Sequence, residues 1–188
     1  GMGRLAAAGM RVGALERGPM LSLADFGDDE RRNVVRDRVF SQHQLETYRA
    51  REGDGVEQGR VATLAHCVGG TMTHWAAWSW RFREDDFALR SKEGSVAGAS
   101  LADWPISYAE LEPWYERAEQ DFGVAGDATG NPFGPPRKTR YPNPPHPQRV
   151  GAKRFAAGAS ALGYAPFPVP VAINSRPHGG RPTCMYGG

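Results

Sequence analysis

The sequence predicts an α/β fold interrupted by long irregular Pro- and Gly-rich stretches, and two observations predict it. A helical run over residues 3–8, a glycine at position 9 and a short apolar run from Arg11 to Glu16 follow the helix–turn–strand order of a βαβ unit. The chain also carries 24 glycines and 15 prolines among 188 residues, with 40% hydrophobic residues. That composition favours loop backbone packed against ordered elements over a uniformly regular domain.

Taken in order, residues 3–8 read as the last turns of a helix closed at Gly9, where a left-handed conformation stops it. Arg11 to Glu16 reads as a buried strand leaving a sheet at Glu16. Residues 28–50 are polar and read as helical in part. The stretch from Arg51 to Gly59 reads as a loop, and Gly59 to Val68 as a strand. Leu101 to Gly123 carries the clearest local signals. Ser107 and Glu110 stand at capping-box spacing. Pro113 is favoured at a first helical position, so a turn is expected at Tyr108–Leu111 and a helix from Pro113 to Phe122. Trp114, Ala118 and Phe122 share one face of it, and Gly123 ends it. Residues 131–147 are Pro-rich and must be extended. Phe133 and Tyr141 give this excursion packing handles. Val150 to Leu162 reads as an Ala-rich helix ended by Gly163, and Pro166 to Ile173 as an edge strand or extended strap.

Bulk properties exclude several function classes. The net charge of +2 gives no electrostatic footprint for nucleic acid. The basic residues Arg31, Arg32, Arg36 and Arg38 are interleaved with Asp28, Asp29, Glu30 and Asp37, as on a solvated mixed-charge face. No segment approaches the apolar length of a transmembrane helix. Cys67 and Cys184 show no disulfide or metal spacing. The N-terminus lacks the charged head, apolar run and cleavage site of a signal peptide, and cytoplasmic and periplasmic locations both stay open.

Two segments carry chemistry. In the first, a helix, a glycine and a strand ending in Glu16 match the second half of a dinucleotide-binding βαβ unit, where a carboxylate accepts hydrogen bonds from ribose hydroxyls. A buried strand that merely ends in a glutamate is the competing reading. In the second, Val68-Gly69-Gly70-Thr71-Met72-Thr73-His74-Trp75, adjacent glycines admit close backbone approach to a flat or charged ligand. Thr71 and Thr73 can donate hydroxyl hydrogen bonds, and His74 can act as acid, base, nucleophile or ligand. Trp75, Trp78 and Trp80 supply planar apolar walls. A bulge with a satisfied histidine and core tryptophans is the competing reading here.

The second segment and the following Arg81-Phe-Arg-Glu-Asp-Asp-Phe87 resemble the flavin-site segment of glucose-methanol-choline (GMC) oxidoreductases, in the branch of gluconate- and fructose-dehydrogenase flavoprotein subunits. Residues 101–116 (LADWPISYAELEPWYE), Pro144-Pro-His-Pro147 and residues 6–19 (AAAGMRVGALERGP) resemble that family in the same order. The resemblance implies an incomplete FAD-binding, Rossmann-like region over residues 1–90 and the start of a substrate or cap region over 91–188. It implies that Glu16 and Arg17 lie at the adenosine ribose, and that Gly69, Gly70 and Thr71 lie along pyrophosphate and flavin, with Thr73, His74 and Trp75 at the same cofactor. The Thr73-His74-Trp75 triplet also resembles pyranose oxidases, which raises covalent flavin attachment through His74. The implied reaction oxidises a CH–OH group of a sugar, sugar acid or alcohol by hydride transfer to FAD, with a cytochrome subunit as a possible electron acceptor.

Departures from the family pattern are equally specific. Counting back from Glu16 puts the expected Gly-x-Gly-x-x-Gly turn before Gly1. The family's catalytic histidine and its partner have no counterpart, so no catalytic residue is assigned and the chain alone is expected to be inactive. Cys184 alone cannot hold the iron–sulfur cluster that a cysteine-rich segment would imply. A non-enzymatic binding module derived from a flavoprotein, and a nicotinamide-dependent Rossmann enzyme, are the competing classes. The Gly-Gly-Thr-x-Thr-His-Trp segment has no role in the second.

Overall fold

A computed structural model describes residues 2–25, 31, 46–49, 51, 53–59 and 65–184. They form a mixture of helix and small sheet, compatible with an α/β class. No parallel sheet of Rossmann type occurs among the described residues. Two compact units divide the chain, Gly1–Trp75 and Ala76–Gly188. No described helix is long and apolar enough to cross a membrane.

In the first unit, helix α1 (Met2–Ala7) ends as expected at Gly9, whose φ of +80° closes the turn. The run from Arg11 to Glu16 corrects the expectation of a buried strand. It lies outside any sheet and is solvent-exposed, with Leu15 fully so. An extended segment becomes a strand only when a neighbour takes its backbone hydrogen bonds, and no described segment pairs with it. Strands β1 (Glu46–Tyr48) and β2 (Glu57–Gly59) form an antiparallel pair with Thr47 opposite Gln58. Part of the polar region expected as helix and part of the loop expected after Arg51 are therefore strand. Residues 65–69 form turn rather than strand; 60–64, and all of the 28–38 charge cluster except Arg31, lie outside the described residues.

The second unit is organised by helix α3 (Tyr108–Phe122). Its start follows the expected capping box. Ser107 Oγ accepts from the Glu110 N–H at 3.3 Å, and the Ser107 N–H donates to Glu110 Oε2 at 2.8 Å. The expected break at Pro113 does not occur, and the helix runs through it. Pro113 lies in the second turn and removes one helical hydrogen bond; the cap before it and the packing after it outweigh that loss. Gly123 ends the helix in the left-handed region at φ +71°. A Cβ there would stand 2.3 Å from Asn174 Oδ1, so glycine is required by both conformation and space.

The face that α3 buries is not the apolar one. Trp114 is 65% exposed, and Ala118 and Phe122 are exposed too. The inward stripe is Tyr108, Glu112, Tyr115 and Glu119, spaced as one helical face. Its polar groups are satisfied by the Pro-rich excursion. Glu112 accepts from the backbone N–H of Lys138 at 3.0 Å and pairs with Lys138 Nζ at 2.9 Å. Tyr108 Oη donates to the Pro136 carbonyl at 2.6 Å. Thr139 Oγ1 donates to Glu116 at 3.0 Å.

Glu119 stands at the centre. Arg81 Nε and Nη2 each donate to it at 2.8 Å, and Arg137 Nη1 and Nη2 donate at 3.0 and 2.5 Å. Arg81 also donates to Tyr108 Oη at 3.0 Å, and Arg137 stacks 3.8 Å over the Tyr141 ring. Phe82, Phe87, Trp104 and Tyr108 form an aromatic group beside this network, edge-to-face in every pair but the tilted Phe82–Trp104. Such pairs add about 0.5–1.5 kcal/mol each beyond their buried area.

The expected extended strap over Pro166–Ile173 is present, but at its far end it is flanked on both sides. Val171 exchanges both backbone hydrogen bonds with Ala125 at 2.8 and 2.9 Å. On its other side Ala172 donates to Ala77 and the Pro170 carbonyl accepts from Ser79. The prolines fall where no N–H is needed, which lets a Pro-rich segment sit between two others. Helix α4 (Val150–Ala161) stops at Gly163, φ +82°, as expected. The remaining short elements are 3-10 turns at Leu23–Asp25, Gly70–His74 and Glu84–Phe87, and helix α2 (Leu89–Glu93).

Glu119→Gln tests the network. Removing the one carboxylate between two guanidiniums leaves uncompensated buried charge, and a loss of about 3–5 kcal/mol is expected in urea unfolding of the full chain. The pH dependence has a definite sign. Burial pushes the Glu119 carboxyl upward, but hydrogen bonds from Arg81 and Arg137 outweigh it and hold the group below its usual 4.5. Its contribution is therefore full above about pH 4.5 and is lost as pH falls through the depressed folded value. The wild-type chain should lose more stability than Glu119→Gln between pH 7 and pH 3; equal losses would remove Glu119 from this role.

Candidate functional site

The first unit places the two sequence-predicted cofactor segments side by side. Residues Glu16 to Pro19 run against His66 to Val68, the segment that leads into the glycine turn. The Val68 N–H donates to the Pro19 carbonyl at 2.9 Å. The approach is closest at Gly18, where a Cβ would lie 2.2 Å from the His66 carbonyl oxygen and 2.5 Å from the Cys67 nitrogen. Only a residue without a side chain allows that contact.

Glu16 itself is exposed, and its carboxylate turns back on its own chain. Oε1 accepts from the backbone N–H groups of Arg17 at 2.8 Å and Gly18 at 3.1 Å. Oε2 makes no such contact among the described residues, and one carboxylate oxygen is left to accept from a diol. Arg17 Nη2 lies 3.3 Å from His66 Nε2. A guanidinium only donates, so His66 accepts through Nε2 and carries its ring proton on Nδ1.

Beyond Val68 the chain turns sharply. Gly69 and Gly70 have φ of +95° and +57°, in the region that side chains disfavour, and open a 3-10 turn from Gly70 to His74. Gly70 has no heavy atom closer than 3.9 Å to the position of a Cβ, leaving open room against its backbone. The two threonines hold the turn. Thr71 Oγ1 accepts from the Ala65 N–H at 3.2 Å, and Thr73 Oγ1 donates to the Gly70 carbonyl at 2.9 Å. Cys67, buried with Ala65 and Leu21, places its Sγ 3.4 Å from Thr73 Oγ1. The Thr73 hydroxyl is thereby committed to the turn's own geometry.

Trp75 follows the turn in extended conformation and is half exposed. Trp78 and Trp80, in the second unit, are also exposed; none of the three is a core residue, which removes that part of the bulge-and-core reading. The backbone of His74 closes the 3-10 turn, and its side chain lies outside the described part of the structure. Sequence reasoning missed Gly18 and His66. Gly18 gave a faint signal, as a glycine two residues beyond a candidate ribose-binding carboxylate. His66 gave none.

The two segments thus set an acceptor carboxylate and a side-chain-free backbone turn on adjoining stretches of chain.

No family model matches the chain. It is 44% identical over 119 residues to the fructose dehydrogenase large subunit of Gluconobacter japonicus, covering 62% of this chain and 21% of that protein. It is 35% identical over 183 residues to paromamine 6'-oxidase of Streptomyces fradiae, covering 96% and 30%. It is 30% identical over 203 residues to the gluconate 2-dehydrogenase flavoprotein of Pantoea cypripedii, covering 93% and 33%. The relatives are oxidoreductases. The similarity supports an oxidoreductase, and the chain spans between a fifth and a third of the length of these proteins.

Gly18→Ala is expected to separate the two segments, because the new methyl group meets backbone atoms that cannot swing away. A lowered thermal midpoint and faster proteolysis within residues 10–25 should follow. An unchanged proteolysis pattern would show that the two segments do not depend on this contact.

Proposed function

We propose that this chain is part of a GMC-type, FAD-dependent oxidoreductase acting on CH–OH groups of sugars, sugar acids or alcohols. The observation that carries the reading is the packing of the Glu16–Pro19 segment against the approach to the Gly69–Gly70 turn. The names of the relatives, which include a dehydrogenase flavoprotein, support the same chemistry.

Bound FAD would supply the hydride acceptor for oxidation of a carbinol to a carbonyl. The residues of this chain have binding and orienting roles. Glu16 accepts from the adenosine ribose hydroxyls, with its carboxylate aimed by the Arg17 and Gly18 N–H groups. Arg17, held by His66, adds positive charge beside the same segment. Gly69 and Gly70 let pyrophosphate and ring approach the backbone, and Thr71 and Thr73 fix the conformation that makes this possible. Trp75 shields the ring from water, and His74 is the candidate covalent tether. No residue of this chain is assigned the hydroxyl proton. The family resemblance extends the proposal to a cytochrome subunit as electron acceptor.

The test is the visible spectrum of the full chain purified with flavin present, read before and after acid precipitation. Flavin absorbance is expected in the native sample and is expected to fall in Gly70→Val, which fills the open side of the turn. Colour retained in the pellet and moved to the supernatant by His74→Ala would establish the covalent tether. Colour in the wild-type supernatant would leave His74 as a contact only. A colourless wild-type sample would overturn flavin binding by this chain.

A further inference from the structure

Helix α3 turns its apolar stripe outward, and none of the roles above uses it. Trp114, Ala118 and Phe122 stand at i, i+4 and i+8, one ridge along the helix. Trp114 is 65% exposed, Phe122 46%, and Ala118 between them is exposed as well. The opposite stripe, Tyr108, Glu112, Tyr115 and Glu119, already holds the Pro-rich excursion and Arg81. Rotation of the helix therefore cannot bury the aromatic ridge without breaking those bonds. Two large rings on either side of a methyl group make a surface whose burial would be favourable and whose exposure to water is costly.

The order of residues on this ridge selects its occupant. Read in either direction it runs aromatic, alanine, aromatic. In an antiparallel pair of α3 helices related by a two-fold axis beside Ala118, Trp114 of one copy meets Phe122 of the other, and the two alanines face each other. A small residue at the crossing point lets the helix axes approach, and each ring then fills the space beside the other copy's alanine.

Charge selects the same arrangement. Arg117 and Asp121 are exposed and lie along one flank of the ridge. An antiparallel two-fold sets that flank against the same flank of the second copy, and places Arg117 one turn from Asp121 of the second copy in both symmetric positions. Helical side chains lean toward the N-terminus, which carries the Arg117 guanidinium toward that carboxylate. A parallel pair would set this flank against the Tyr115 side and bring the two charges no partner. The antiparallel pair also opposes the helix dipoles. It turns the acidic opening of each helix, Glu110, toward the end where Arg181 of the second copy donates to the Asp121 carbonyl.

We propose that the outward face of α3 is a self-pairing surface, on which a second copy of this chain docks antiparallel through Trp114, Ala118 and Phe122, with Arg117 and Asp121 at the rim. Two helices touching over two turns make a small interface, near the low end of about 1,200 Å² for specific pairs. The dimer is expected to be weak and to form reversibly with concentration.

Sedimentation equilibrium of the full chain, from low to high micromolar concentration, tests this. A monomer–dimer equilibrium is expected. Ala118→Glu sets two like charges at the two-fold axis and should weaken it about tenfold or more, with an unchanged circular dichroism spectrum because the position is exposed. Arg117→Asp and Asp121→Arg should each weaken it, and the double exchange should return it to within about twofold of wild type. That recovery separates pairing at this flank from a general loss of structure. A chain that stays monomeric throughout would overturn self-pairing in favour of a different polypeptide on this face. A dimer that tolerates Ala118→Glu, or charge exchanges that do not restore one another, would overturn the antiparallel arrangement. The measurement does not depend on flavin, so it stands or falls apart from the proposed activity.

Discussion

One buried carboxylate holds the second unit together. Glu119 takes four hydrogen bonds from two guanidiniums, and each arginine comes from a different segment. Arg81 follows the tryptophan-rich stretch, and its side chain is 1% exposed. Arg137 belongs to the Pro-rich excursion. Without Glu119 two positive charges would share a desolvated space, which is prohibitive. With it, a helix, a loop and a proline-rich strap acquire a common reference point. Tyr108 and Glu112 on the same helical stripe extend the clamp to Pro136 and Lys138. This unit therefore has a polar spine where a larger domain would have an aliphatic core.

The arrangement accounts for how so irregular a chain keeps a defined conformation. Few aliphatic side chains are buried among the described residues, Val124 and Val171 being the main ones. Directional contacts replace them. Backbone hydrogen bonds tie Val171 to Ala125, Asn143 caps the Gly123 carbonyl at 2.8 Å, and His178 and Arg181 reach the carbonyls at the end of α3. The Arg181 guanidinium at the helix C-terminus also complements its dipole. The first unit uses the same strategy on a smaller scale. There Thr71, Thr73 and Cys67 clasp a turn of two glycines at positive φ, and Gly18 lets a second segment lie against its approach.

These constraints bear on function through rigidity. A turn with two glycines would sample many conformations if its threonine hydroxyls were not spent on its own backbone. Once held, it offers open backbone at Gly70 beside a segment carrying Glu16. In the second unit Glu119 ties the side chains of Arg81 and Arg137 to each other and to α3. Both units thus rest on polar groups whose hydrogen bonds are already spent within the fold.

Local signals in the sequence determined local structure. The Ser107–Glu110 cap, the left-handed stops at Gly9, Gly123 and Gly163, and the sharp turn at Gly69–Gly70 each follow from the conformational preferences of a few adjacent residues. The candidate cofactor residues were singled out in the same way, since each belongs to a short motif. Tertiary structure alone decided what those elements face. An amphipathic reading put Trp114, Ala118 and Phe122 together on α3, yet the buried stripe is Tyr108, Glu112, Tyr115 and Glu119, because its partners at 81 and 136–139 neutralise and satisfy it. The run from Arg11 to Glu16 had strand composition, yet lies outside any sheet, because a strand exists only through its neighbours. Gly18 and His66 gained their importance from a contact between segments some 50 positions apart, where the deciding quantity is the distance between two backbones.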